Sequence, residues 1–136
     1  MDISLKKVLS SVLGEKKFDI AHEHGNFKIT IIPESLLKVI KTLKDNEKLK
    51  FTQLIELTAV DYPDSLTRFR IVYILLSIEY NTRIILSTFI DEESSLDSIV
   101  SLFPAANWYE REVWDLFGIS FKNHPDLRRL LTDYGF

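Results

Sequence analysis

Three observations in this 136-residue chain predict an α+β fold: a two-layer sandwich with a mixed sheet of about five strands and helices mainly on one face. Strand-like runs come in groups, first two and then three, instead of alternating strictly with helices. Amphipathic helical periods stand between and after these groups. The runs at 68–78 and 82–90 are separated by only Glu79-Tyr80-Asn81, short enough for an antiparallel hairpin. The expected order is helix, two strands, helix, three strands, two helices, and then an extended C-terminal segment.

Asp2 can cap a first helix with Leu5, Val8, Leu9, Val12 and Leu13 on its apolar side and Gly14 at its end. Residues 18–22 and 26–32 read as strands around a turn at His24-Gly25-Asn26, and Phe27, Ile29 and Ile31 alternate with Lys28 and Thr30. Pro33 opens a second helix, because its fixed φ suits a first helical position. Leu36, Leu37, Ile40 and Leu43 form its apolar stripe, and Lys38, Lys41 and Lys44 its wet face. A third strand runs over about 54–62, and Pro63-Asp64-Ser65 turns it. The fourth, 68–78, is almost continuously apolar and is expected to be covered on both faces in its second half. Ser94 or Ser95 caps a helix that turns Leu96, Ile99, Val100 and Phe103 inward and stops at Pro104. The last helix has Asn107 as its N-cap, with Glu110 three residues on as a capping box. Tyr109, Val113, Leu116 and Phe117 mark its apolar face, Arg111 and Asp115 can pair at i,i+4, and Gly118 supplies a left-handed C-terminal cap. The chain divides into a core, 1–118, and an extension, 119–136.

Composition narrows the function. Hydrophobic content is 46%, enough for one globular domain. A net charge of −3 argues against nucleic acid as a partner, since phosphate binding needs a basic face. Zero cysteine removes disulfides, thiolate nucleophiles and cysteine-ligated zinc or iron–sulfur centres. The apolar run at 71–78 is far short of the roughly 20 residues of a spanning helix, so any membrane association is expected to be indirect, through partners. The N-terminus, with an acid at position 2, reads neither as a secretory signal nor as an arginine-rich transit peptide.

The candidate sites each have a plainer reading. His22 and His24 could share a metal from one strand face, yet zinc wants three or four ligands, and two solvated histidines at a turn is the preferred reading. Glu110, Arg111, Glu112 and Asp115 could form an acid/base cluster, but a cap partner and a helix pair account for them, and charges beside tryptophan suit a protein interface. His124-Pro125-Asp126 could hold a general base, but no nucleophile motif, phosphate loop or dinucleotide fingerprint accompanies it. Arg128 and Arg129 suit planar pairing with a partner's carboxylates. The tail carries Ile119, Phe121, Leu127, Leu130, Leu131, Tyr134 and Phe136, too much apolar surface for one turn to hide.

Residues 108–136 hold both tryptophans and carry a long signature: Trp108-Tyr109-Glu110-Arg111-Glu112, Trp114-Asp115, Phe117-Gly118, His124-Pro125-Asp126-Leu127-Arg128-Arg129 and Thr132-Asp133-Tyr134-Gly135-Phe136. Leu57-Thr58-Ala59-Val60-Asp61-Tyr62 and Arg68-Phe69 belong with it. The pattern resembles the hydrophilic 30-kilodalton-type subunit of respiratory complex I, the NADH:quinone oxidoreductase. The resemblance is good over roughly 50–136 and covers the first 50 residues only in outline. It implies a cofactor-free structural and assembly subunit of the peripheral arm, packed against the quinone-site subunit, in a complex whose FMN and Fe-S clusters lie in other chains. It implies a place on the matrix side of the mitochondrial inner membrane or the cytoplasmic face of a bacterial one. The residues expected to meet partner subunits are Trp108, Glu110, Arg111, Glu112, Trp114, Asp115, His124, Asp126, Arg128, Arg129, Asp133 and Tyr134. Members of the family continue past Tyr-Gly-Phe, so a tail beyond Phe136 is expected to be either trimmed or missing from the partner-wrapping surface. The alternatives are a freestanding interaction domain of a related hydrogenase-type complex and an independent acid/base enzyme using the Glu110–Asp115 cluster or His124.

Overall fold

The computed structural model describes residues 18–23 and 26–125, together with Lys7, Ser10 and Ser11. Those last three are helical, and the rest of the expected first helix lies outside the described residues. The strands are β1 (Phe18–Glu23), β2 (Asn26–Ile31), β3 (Gln53–Asp61), β4 (Phe69–Ser77) and β5 (Thr82–Ile90). They form one five-stranded sheet in the order β1-β2-β5-β4-β3. The sheet is mixed because β2 and β5 run parallel while every other neighbour is antiparallel. A 3-10 turn, Pro33–Ser35, leads into helix α1, Leu36–Asp45. This helix carries the chain from β2 to β3 at the far edge, and the β3-β4-β5 meander then returns to close on β2. The β4–β5 turn closes on Asn81 at φ +49°, a left-handed conformation that asparagine tolerates better than most side chains.

Alternation along the strands decides the layers. Phe27, Ile29 and Ile31 of β2, Phe69, Ile71, Tyr73 and Leu75 of β4, and Ile84, Leu86 and Ile90 of β5 all lie in one core with Leu36, Val39, Ile40 and Leu43 of α1. The expectation that β4 is covered on both faces does not hold. Its burial alternates to the end, with Arg70, Val72, Ile74 and Leu76 only partly covered. The second face of the sheet is therefore half-wet, and β-branched residues there serve strand propensity as much as burial.

The helix expected over 95–103 is absent. Leu96–Asp97 is a short strand, β6, pairing in parallel with β7, Phe121–Lys122, which follows the last helix. The Leu96 N–H donates to Ser120 O at 3.1 Å and the Ser98 N–H to Lys122 O at 2.9 Å. Leu96, Ile99 and Phe103 still reach the core, but from an extended segment and a single turn, closed by Phe103 N–H to Ile99 O at 2.8 Å. Burial with an irregular period imitates a helix stripe when the partner strand is distant in sequence.

Candidate functional site

The signature helix, α2, spans Ala106–Phe117. Its start differs from the expected capping box. Ala105 occupies the N-cap with no side-chain hydrogen bond, and Asn107 lies inside the helix with its Oδ1 buried and unpartnered. The chain enters instead through a turn in which the Ala106 N–H donates to Phe103 O at 2.9 Å and the Asn107 N–H to Pro104 O at 3.1 Å. The C-terminus is as expected. Gly118 adopts φ +74° and donates to Trp114 O at 2.9 Å. No atom stands within 4 Å of a Cβ there, so the backbone angle and not space favours glycine.

Glu110 accordingly does other work. It is fully buried, its Oε1 accepting from the Ser98 hydroxyl at 2.6 Å and its Oε2 from the Ile99 N–H at 2.8 Å. A helix carboxylate thus satisfies the loop after β6. His124, whose side chain is also out of solvent, brings Nε2 to 3.8 Å from Glu110 Oε1 and 3.3 Å from Asn107 O. Burial pushes the Glu110 carboxyl up to about 7, against the lowering effect of its two donors. Beneath them Tyr73 is completely buried, its hydroxyl unpartnered, and its pKa is raised well above normal by desolvation and by the negative charge of Glu110 and Asp97.

Ala106, Glu110 and Val113 face inward, with Tyr109 and Phe117 partly buried beside them. The Tyr109 hydroxyl donates to Ile55 O of β3 at 3.0 Å, and Phe117 meets Phe69 edge-to-face at 6.2 Å. Leu116, expected on this face, is 59% exposed. It shares the outer face with Trp108, 57% exposed, and Glu112, because positions four and eight along a helix align. Arg111, Trp114 and Asp115 are half-buried on the flanks. Arg111 Nε is buried without an acceptor, so the expected pairing with Asp115 does not satisfy that atom. The expected acid/base cluster is not one site: Glu110 is sealed inside and Glu112 points out.

A second charged group escaped the sequence reading. Arg68 grips Asp61 with both ends of its guanidinium, at 2.7 and 2.9 Å, reaches Glu92 at 3.1 Å, and lies over the Phe69 ring at 5.2 Å. This clamp closes the neck of the β3–β4 hairpin, where the Tyr62 N–H donates to Arg68 O at 2.7 Å. Opposite charges seven apart across a Pro63 turn were the available signal. Beyond the neck, Leu66 is 96% exposed.

Asp126, Arg128, Arg129, Asp133 and Tyr134 lie outside the described residues, as do the turn expected at 126–131 and His24. His22 is on β1. Among the described residues no group of three or more potential ligands could hold a metal ion, and no helix is long and apolar enough to cross a membrane.

A family model described as the 30 Kd subunit of respiratory-chain NADH dehydrogenase matches residues 29–136. The chain is 50% identical over 115 residues to NADH-ubiquinone oxidoreductase subunit 9 of Reclinomonas americana, covering 85% of this chain and 56% of that protein. It is 53% identical over 114 residues to NADH dehydrogenase (ubiquinone) iron-sulfur protein 3 of Beta trigyna, covering 84% of this chain and 59% of the relative. It is 42% identical along its whole length to a subunit of the NADH-quinone oxidoreductase of Parvibaculum lavamentivorans, 70% of which it covers. The chain thus spans less than three fifths of the first two relatives. Among solved structures, a chain of the membrane-bound sulfane sulfur reductase, an archaeal respiratory membrane complex, superposes with a TM-score of 0.76 over 90% of this chain and 71% of that one. At 21% identity this is a likeness of fold.

Proposed function

The chain belongs to the family of the 30 Kd subunit of respiratory-chain NADH dehydrogenase, and on that premise we propose that it is a non-catalytic structural and assembly subunit of the peripheral arm of NADH:quinone oxidoreductase. That complex passes electrons from NADH through FMN and iron–sulfur centres to quinone and couples the transfer to proton translocation. The observation that carries the proposal is the family match over 29–136, which takes in β3–β5 and all of α2. The division of labour on α2 supports it. The apolar side anchors the helix to β3 and β4, and Trp108, Glu112 and Leu116 are left outward, an aromatic, a charge and an aliphatic side chain in one row. Exposed tryptophan is rare on a free surface and common at interface hot spots. The absence of cysteine leaves the chain no thiolate with which to hold a cluster. A catalytic reading of Glu110 is disfavoured because its carboxylate is sealed from any substrate. In this proposal the partner of the outer face is the quinone-site subunit, and the chain lies on the matrix side of the mitochondrial inner membrane or the cytoplasmic face of a bacterial one, held there by its neighbours.

A tagged chain, expressed in its own cell and extracted in mild detergent, should migrate on a native gel with the band that oxidises NADH. Recovery only as a free monomer, beside an NADH-oxidising complex that lacks it, would exclude the proposal. Recovery in a hydrogen-evolving assembly without NADH oxidation would favour the hydrogenase-type reading.

A further inference from the structure

The end of the sheet at which β2 and β5 finish carries a groove lined by none of the outward residues of α2. Its first arm is apolar, with Phe18 of β1, Ile32 and Pro33 after β2, and Phe89 of β5. Its second arm shares Pro33 and Phe89 and continues past the 91–95 loop to Lys122 of β7. Ile32 is 40% exposed and Phe89 37%, so two large apolar side chains of the first arm stand open to water. Asp19, Glu34, Asp91 and Glu93 line the groove against one lysine, Lys122, which leaves the lining at −3. That equals the formal charge of the whole 136-residue chain, so the rest of the protein balances to zero. None of Asp19, Glu34 and Glu93 is in an ion pair among the described residues. We propose that this groove docks a basic segment of a partner protein, an extended stretch with one large apolar side chain followed by lysine or arginine two and four positions on.

The groove has its shape before anything binds. The Thr88 hydroxyl donates to Ile31 O at 2.9 Å and locks the end of β2 to β5. The turn that follows closes with the Ser35 N–H donating to Ile32 O at 3.1 Å. On the opposite wall, Asp91 Oδ1 accepts from the Ser94 hydroxyl at 2.7 Å and from the Ser94 and Glu93 N–H groups at 2.8 and 3.0 Å. Next to it, Arg68 holds Glu92 at 3.1 Å. A ligand therefore meets fixed walls and loses little free energy to ordering them. β1, β2 and β5 are neighbours in the sheet, so with strands about 4.8 Å apart the apolar arm spans about 10 Å. Together the two arms have room for roughly five extended residues at about 3.3 Å each. Alternate side chains of an extended segment face the same way. An anchor in the arm of Phe18, Ile32 and Phe89 thus sends the next two inward side chains past Glu34 and Glu93. Charge selects the occupant. Anionic lipid, nucleic acid and acidic peptides are repelled by the lining, whereas lysine or arginine meets carboxylates that lack a cation. The groove is separate from the outward row of α2, and its chemistry is the same whichever assembly the chain joins.

The test is an NMR titration of the isotope-labelled full chain with the peptide acetyl-Phe-Ser-Lys-Ser-Arg-amide. Amide shifts should centre on 30–34 and 89–95, and affinity should fall as salt is raised. Replacing the phenylalanine of the peptide by serine, or its two cations by glutamate, should each weaken binding by about tenfold or more. The full chain carrying Glu34→Lys and Glu93→Lys should lose as much, and both positions are exposed, so the core is left intact. Equal binding of the acidic peptide, or shifts scattered away from the groove, overturns the proposal whatever the variants do. Equal binding of the peptide without phenylalanine overturns it too, since that is diffuse attraction between charges. A salt-sensitive dimer in sedimentation equilibrium, abolished by the double lysine change, would put a second copy of the chain in the groove in place of a partner. Tighter peptide binding by the full chain with Arg128→Gln and Arg129→Gln would mean that the chain's own tail fills the groove, and would likewise overturn the proposal.

Discussion

At the scale of single residues, the described part of the chain sets a two-pronged Arg68–Asp61 contact beside buried polar atoms of Tyr73, Asn107 and Arg111 that lack partners. Arg68 and Asp61 meet in the fork geometry that lysine cannot reproduce. Arg68→Lys should therefore lower the melting temperature at neutral pH although charge is conserved. The hydrogen bonds from Arg68 hold the Asp61 carboxyl below its usual range, so its contribution is present above that range and is lost as pH falls through the lowered value. Melting curves of the parent and Arg68→Lys should converge in acid, and a gap that persists when Asp61 is protonated would locate the effect elsewhere. Tyr73 makes the opposite case. Its hydroxyl is wholly buried and bonds to nothing, so Tyr73→Phe removes no hydrogen bond and relieves a desolvated group. Denaturant unfolding should show equal or higher stability. A loss above about 1 kcal/mol would mean that an ordered water partners this oxygen.

At the scale of elements, α2 is a helix with two different customers, and its two faces should respond differently to the same chemical change. Val113 is 2% exposed and packed in the core, so Val113→Ala should cost about 2 kcal/mol in transfer and cavity terms. Leu116→Ala deletes a larger side chain only three residues on, but at 59% exposure it should change stability by no more than about 0.5 kcal/mol. Chemical denaturation of the two variants measures both numbers, and comparable losses would mean that Leu116 is covered within the chain. The period of the helix was legible, since Tyr109, Val113 and Phe117 all turn toward the sheet. The membership of Leu116 was not. A residue at the margin of an apolar stripe is turned in or out by the curvature and spacing of the surface beneath it, and those depend on β3 and β4.

At the scale of the whole molecule, one side of the sheet carries α1, α2 and the core, and the outward row on α2 is left for another chain in the proposed assembly. Trp108→Ala should leave the isolated chain as stable as the parent to within about 0.5 kcal/mol, because Trp108 is 57% exposed and removes little from the core. In the cell the same change should reduce the amount of assembled NADH-oxidising complex on a native gel, since truncating a buried aromatic anchor at an interface costs about 2 kcal/mol or more, roughly 30-fold in affinity. Normal assembly with Trp108→Ala would remove the outer face of α2 from the interface.

What the sequence by itself determined was the part of the fold that a few consecutive residues dictate. Alternation placed β2, a nearly continuous apolar run placed β4, the three-residue gap after it placed β5, Pro33 placed the entry to α1, and Gly118 placed the end of α2, because side-chain pattern and permitted backbone angles are properties of a few consecutive residues. The signature between Trp108 and Phe136 pointed to the family without any coordinates. Tertiary structure decided what depends on distant partners. Residues 96–103 are extended and turned instead of helical because Leu96 and Ser98 donate to 120–122 and Ile99 donates to Glu110. Glu110 leaves the role of cap because Ser98 and Ile99 offer it donors in a buried site that its own helix start cannot match. The parallel pairing of β2 with β5 follows from the same cause: a backbone group or a carboxylate removed from water must find a partner, and the nearest one in space need not be near in sequence.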